Sequence, residues 1–158
     1  MMAMKKTGLL FLIVAAMFVL GGCAKKPEAV SIHKDQPPHG GTPVAIGDDE
    51  YHIEFVLDPA AGTLSAYLLD DEMEDFVRSD MPSFEVVAKV GGAERTLVFK
   101  PVANSATGET VGDTALFAVQ ADWLKTAKEF DAVIKSVTLD GTVFTGIDFN
   151  FPKGNETE

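Results

Sequence analysis

Three side chains near the start of the acidic part of this chain have the chemistry to hold a transition metal. His39 stands in the run His39-Gly40-Gly41-Thr42, and His52 and Glu54 stand in Tyr51-His52-Ile53-Glu54-Phe55-Val56-Leu57. Imidazole suits copper, zinc or nickel, and a carboxylate widens the choice. In an extended strand, residues two apart share a face, with Cα atoms about 6.5–7 Å apart. His52 and Glu54 are therefore expected side by side. The competing reading is two surface histidines and a solvated glutamate on a polar strand face. A third histidine, His33, lies upstream and could swing in.

Other chemistry is harder to find. Met73 lies within an acidic run, Asp70 to Asp75, and Met81 follows it. Thioethers bind Cu(I), but methionines more often fill gaps in packing. The run Asp70-Asp71-Glu72-Met73-Glu74-Asp75 lacks the D-x-D-x-D-G spacing of a calcium loop. No G-x-S-x-G elbow, phosphate-cradling glycine loop or H-E-x-x-H helix is present. The expectation is a binding protein, not an enzyme.

The elements that must position these groups are short strands. Thr42 to Ile46 is a candidate strand, ended by Gly47-Asp48-Asp49. Tyr51 to Leu57 alternates, with Tyr51, Ile53, Phe55 and Leu57 apolar and His52 and Glu54 on the other face. Asp58 to Gly62 turns the chain into a strand from Thr63 to Leu69. If the first two strands pair, His39 falls near the far end of the second, away from His52, unless the chain enters differently. Further strands are expected over Ser83–Val90, Arg95–Pro101, Thr114–Ala121, Phe130–Leu139 and Thr142–Phe151, with a brief one at Phe76-Val77. Asp140-Gly141 marks a hairpin. On its second arm Val143, Ile147, Phe149 and Phe151 are expected on one face. Asp122 to Ala127 is the one helical candidate, with Asp122 as its cap and Trp123 or Leu124 packed inward. Seven to eight strands with one helical turn favour an all-β, immunoglobulin-like β-sandwich, with a small barrel as the alternative.

The two ends read differently. Lys5-Lys6, the apolar run Leu9 to Leu20, and Gly21-Gly22 before Cys23 have the three zones of a secretory signal peptide. The run is shorter than the roughly 20 residues of a spanning helix. Leu20-Gly21-Gly22-Cys23 resembles the lipobox of bacterial lipoproteins, which implies cleavage before Cys23 and a lipid on that cysteine. The expected organisation is a signal peptide over 1–22, a lipidated cysteine and flexible tether over 23–38, a domain over 39–152, and a frayed polar tail over 153–158. Ala24, rather than Asp, after the cysteine favours the outer membrane under the enterobacterial sorting rule. Cys23 is the sole cysteine, so the domain has no internal disulfide and no thiol chemistry.

Charge excludes one class of partner. All 24 acidic residues follow Cys23, while two of the 13 basic ones, Lys5 and Lys6, precede it. The part after Cys23 thus carries 11 positive against 24 negative charges, a net −13. That opposes binding to nucleic acid or anionic lipid heads and attracts cations.

The segments His39 to Thr42, Tyr51 to Leu57 and Gly62 to Asp70 resemble small exported domains of Gram-negative bacteria. These open on H-G-G, continue with an H-x-E strand, and occur in uncharacterised lipoproteins and beside periplasmic adaptor proteins of metal-efflux pumps. The resemblance covers His39 to Asp70 and thins out beyond it. It implies a metal-handling accessory facing the periplasm, with His39, His52 and Glu54 as ligands and an envelope or efflux-system protein as partner. The alternative is a structural or protein-interaction lipoprotein of the envelope with no metal role.

Overall fold

Apolar residues at every second position, interrupted by Gly, Asp and Pro, give the chain its strands. The computed structural model describes residues 36–156. The expected signal peptide, Cys23 and the expected tether as far as Asp35 lie outside the described residues. Eight strands form: β1 (Thr42–Ile46), β2 (Tyr51–Asp58), β3 (Thr63–Leu69), β4 (Phe84–Val90), β5 (Ala93–Pro101), β6 (Leu116–Gln120), β7 (Phe130–Leu139) and β8 (Thr142–Phe151). All neighbours are antiparallel, in the order β1-β2-β3-β6-β5-β4-β7-β8. β5 joins the two halves, pairing with β4 over Ala93–Phe99 and with β6 through Lys100 and Pro101. The strands form one all-β sheet curled into a nearly closed barrel, the alternative that the strand pattern leaves open beside the immunoglobulin-like sandwich. Strand count and turn spacing do not distinguish the two; β5, which pairs with both β4 and β6, does.

The inner face carries the core. Phe55, Phe99, Phe117, Leu64, Leu97 and Ile134 are buried there. Phe55 stacks on Phe149 at 4.8 Å, Phe84 on Phe99 at 4.8 Å, and Phe130 on Phe151 at 5.1 Å. Each such side chain contributes about 1.5–3 kcal/mol by leaving water. With no disulfide among the described residues, this aromatic core holds the sheet.

One irregularity reverses a face. β4 shifts register on β7 between Glu85 and Val86, leaving Lys135 as an extra residue. On β7 the buried positions therefore change from Phe130, Ala132 and Ile134 to Val137 and Leu139. β8 keeps its register with β7 across this point, so it must switch as well. Gly146 sits there at φ 67°, and beyond it Phe144, not Val143, turns toward the core. Val143 is 60% exposed, which corrects the expectation that it lines the inner face.

The helical candidate is a single 3₁₀ turn, Asp122–Lys125, with Leu124 buried. Ala121 occupies its cap position without a side-chain bond; Asp122 instead pairs with Lys125 at 2.8 Å. A turn this short leaves Asp122 inside the helix, where its carboxylate meets an ammonium rather than backbone N–H groups.

The ends of the sheet meet through residues expected to fray. β8 ends at a cis Phe151–Pro152 bond. Gly154 and Asn150 then exchange backbone hydrogen bonds of 2.7 and 2.9 Å. The Asn155 amide accepts from the Ala45 N–H at 2.8 Å and donates to the Ala45 carbonyl at 3.0 Å. It pairs with β1 as another strand would. Pro43, the other β1 residue turned to this seam, has no N–H to offer. Residues 153–156 are thus a strap across the seam, not a free tail.

Candidate functional site

β2 sends His52 and Glu54 to its outer face, as alternation requires. That face is not solvated: His52 is 3% exposed and Glu54 fully buried. Two different groups of neighbours cover them.

Over Glu54 lies the H-G-G segment. Gly40 N–H bonds the Pro37 carbonyl at 3.0 Å, so the chain folds back before entering β1. This entry brings His39 onto Glu54. One Glu54 oxygen accepts the His39 and Gly41 N–H groups at 2.9 and 2.8 Å, and the other meets His39 Nδ1 at 2.7 Å. Gly41 must be glycine because a Cβ there would sit 2.6 Å from the Phe55 carbonyl oxygen. The His39 ring stacks on Tyr67 at 3.8 Å, with Phe76 5.9 Å away. Burial pushes the Tyr67 phenol up, and the charge of Glu54 adds to that. A cavity of about 460 Å³ opens beside these rings, walled also by Arg78, Asn104, Thr107 and Glu109.

His52 belongs to the second group. Its Nδ1 lies 3.3 Å from the Asp70 carbonyl and its Nε2 3.2 Å from a Glu156 oxygen. Asp49, in the turn between β1 and β2 at φ 62°, completes a set whose ligand atoms all lie within 4.8 Å of one another. A carbonyl only accepts, so Nδ1 is the protonated nitrogen in that contact. Nε2 then faces a carboxylate, and two lone pairs cannot share that gap alone. A cation between ring and carboxylate would satisfy both. Orienting a ligand imidazole through its other N–H to a carbonyl is the usual arrangement at metal sites. A cavity of about 490 Å³ lined by Ala45, Gly47, Asp49, Asn155 and Glu156 adjoins the set.

The three sequence candidates are thus divided. His39 and Glu54 come together; His52 joins Asp49 and Glu156. The carboxylates of the second set are hidden in the sequence, where Asp49 reads as a turn residue and Glu156 as tail. An acid three residues before His52 across a tight turn was the one available signal. Among the described residues, no helix is long and apolar enough to cross a membrane. No known family model matches the chain, and no curated protein or solved structure shows significant similarity to it.

The remaining suggestive residues have packing roles. Met73 and Met81 are buried, and the Met81 sulfur accepts the Thr138 N–H. Asp70 turns its carboxylate on the Glu74 and Asp75 N–H groups, organising the acidic loop around itself. Trp123 packs edge-on against Phe130 at 5.4 Å, beneath the Arg95 guanidinium.

Glu109 organises the loop between β5 and β6. Burial pushes its carboxyl up, but hydrogen bonds from Thr107, the Ala115 N–H and Thr114, with the Arg78 charge, outweigh this and hold it below its ordinary 4.5. A carboxyl lowered on folding stabilises the fold above its unfolded value and loses that contribution as pH falls through the folded one. The stability difference between wild type and Glu109→Gln is therefore expected to be full at neutral pH and to shrink below pH 4.5. Urea titrations at several pH values measure it, and a difference independent of pH contradicts this role.

Proposed function

We propose that this protein is a lipoprotein of the bacterial envelope whose domain binds a divalent transition metal through Asp49, His52 and Glu156, without catalysis. The single observation that carries the reading is His52. It is buried, held at Nδ1 by a carbonyl, and meets the Glu156 carboxylate at Nε2, with an Asp49 oxygen in a set whose ligand atoms all lie within 4.8 Å. Imidazole with carboxylates suits zinc, nickel or copper(II) rather than Cu(I). The acidic surface supports the reading by drawing cations in. The lipobox-like Leu20-Gly21-Gly22-Cys23 supports the anchor, and Ala24 the outer membrane. The resemblance of the H-G-G and H-x-E segments supports a role beside metal-efflux proteins.

Titration calorimetry of the full-length protein in detergent, with Zn²⁺, Ni²⁺ and Cu²⁺, tests this. One ion per chain is expected. His52→Ala should abolish binding and Glu156→Gln should weaken it more than about tenfold. His39→Ala should leave it unchanged, because His39 serves Glu54. Equal binding by wild type and His52→Ala, or no binding by wild type, overturns the proposal.

A second reading has an observation of its own. Phe76 is 51% exposed beside the cavity that His39 and Tyr67 line. With Tyr67, Ala115 and Leu116 around the same cavity, the Phe76 ring offers a contiguous apolar contact for a protein partner. In that reading the domain is an interaction module of the envelope, and Phe76→Ser would abolish capture of the partner without affecting metal.

A further inference from the structure

The proposed ligands come from three places: Asp49 from a turn, His52 from β2, and Glu156 from the strap. Asp49 and His52 are fixed by the β1–β2 hairpin. Glu156 is not, being 54% exposed with His52 as its one side-chain partner among the described residues. What places it is the residue before it. Asn155 clasps both polar groups of Ala45, and Ala45 is the direct pair of His52 across β1 and β2. The clasp therefore delivers the Glu156 carboxylate to the imidazole one strand away.

We propose that Asn155 is a positioning residue for the metal group, and that metal binding and closure of the sheet seam form one coupled equilibrium. This rests on the metal reading above. The physical argument is linkage. An ion held by His52, Asp49 and Glu156 ties the strap to β2, so it binds the closed seam better than the open one. Whatever opens the strap must then weaken the ion, and the ion must protect the strap by the corresponding factor. Asn155 needs no contact with the ion to act this way. The strap also covers the Ala45 N–H, the β1 donor turned to the seam, so the protein senses the ion at the sheet edge where a partner strand would otherwise pair.

Two measurements on the full-length protein in detergent test the coupling, with Zn²⁺ as the probe. Zinc should slow hydrogen exchange of the Ala45 amide by about tenfold or more, within the usual range of coupling between sites. Asn155→Ala should weaken zinc affinity about tenfold, the loss usual for groups that orient a ligand. Its urea midpoint shows that the barrel is still folded, and the exchange measurement on wild type stands even if the variant does not fold. Zinc binding that leaves Ala45 exchange unchanged and is indifferent to Asn155→Ala overturns the coupling while leaving the metal site standing. No zinc binding by wild type overturns both, so the two failures are told apart.

Discussion

Glu54→Ala is expected to lower the unfolding free energy by about 3 kcal/mol, read as a fall in the urea midpoint at unchanged slope. Glu54 is fully buried, and its two oxygens take three donors: the His39 and Gly41 N–H groups and His39 Nδ1. Alanine removes the acceptor and leaves the donors under the folded-back segment. His39 is 35% exposed on its side chain and recovers part of the loss from water, which keeps the cost near the lower end for a broken buried pair. Glu54→Gln separates charge from shape. Its amide oxygen still accepts the two backbone N–H groups, but its amino end meets the imidazole, so a loss of about 1–2 kcal/mol is expected. A double-mutant cycle with His39→Ala isolates the pair. If Glu54→Ala costs under about 0.5 kcal/mol, the surface range, the carboxylate is not the anchor of the segment.

That anchor explains why a polar strand face was misleading in the sequence. The alternation in Tyr51 to Leu57 placed Ile53 and Phe55 inward and His52 and Glu54 outward, and the structure agrees. Alternation tells which face a residue shares. It does not tell what lies over that face. The cover over Glu54 comes from His39 to Gly41, and that over His52 from the Asp70 carbonyl and Glu156. The partner of His52 on the strap is 104 residues away in sequence. No local pattern encodes such a contact. The bulge at Lys135 was equally hidden, because one unpaired residue shifts a face without changing composition. Gly146 inside a strand was its visible trace. Hairpin turns were legible because Asp140-Gly141 and Gly91-Gly92 carry their geometry in the residues themselves; Asp140 and the glycines all take positive φ.

The strap yields the second large effect. Gly154→Ala is expected to cost about 3 kcal/mol, combining a left-handed backbone with a clash. Gly154 has φ 82°, and a Cβ there would lie 2.3 Å from the Pro43 carbonyl oxygen. The residue cannot turn away, since its N–H and carbonyl both bond Asn150. Gly91→Ala is the control. It shares the positive φ, 59°, but a Cβ there meets nothing within 4 Å. It should pay the backbone strain alone, about 1 kcal/mol. The difference between the two variants in urea midpoint measures the close approach of strap and β1. A strap that simply detaches would cap the loss, and that too has a signature. Ala45 would lose the Asn155 amide, and its N–H would exchange as a free edge donor. Equal costs for the two variants, with Ala45 still protected, would mean that the seam is not held at Gly154. A larger cost with Ala45 exposed would place the strap among the elements that make the barrel. Zinc affinity would then fall in Gly154→Ala although glycine supplies no ligand, because Glu156 reaches His52 only while the strap is closed.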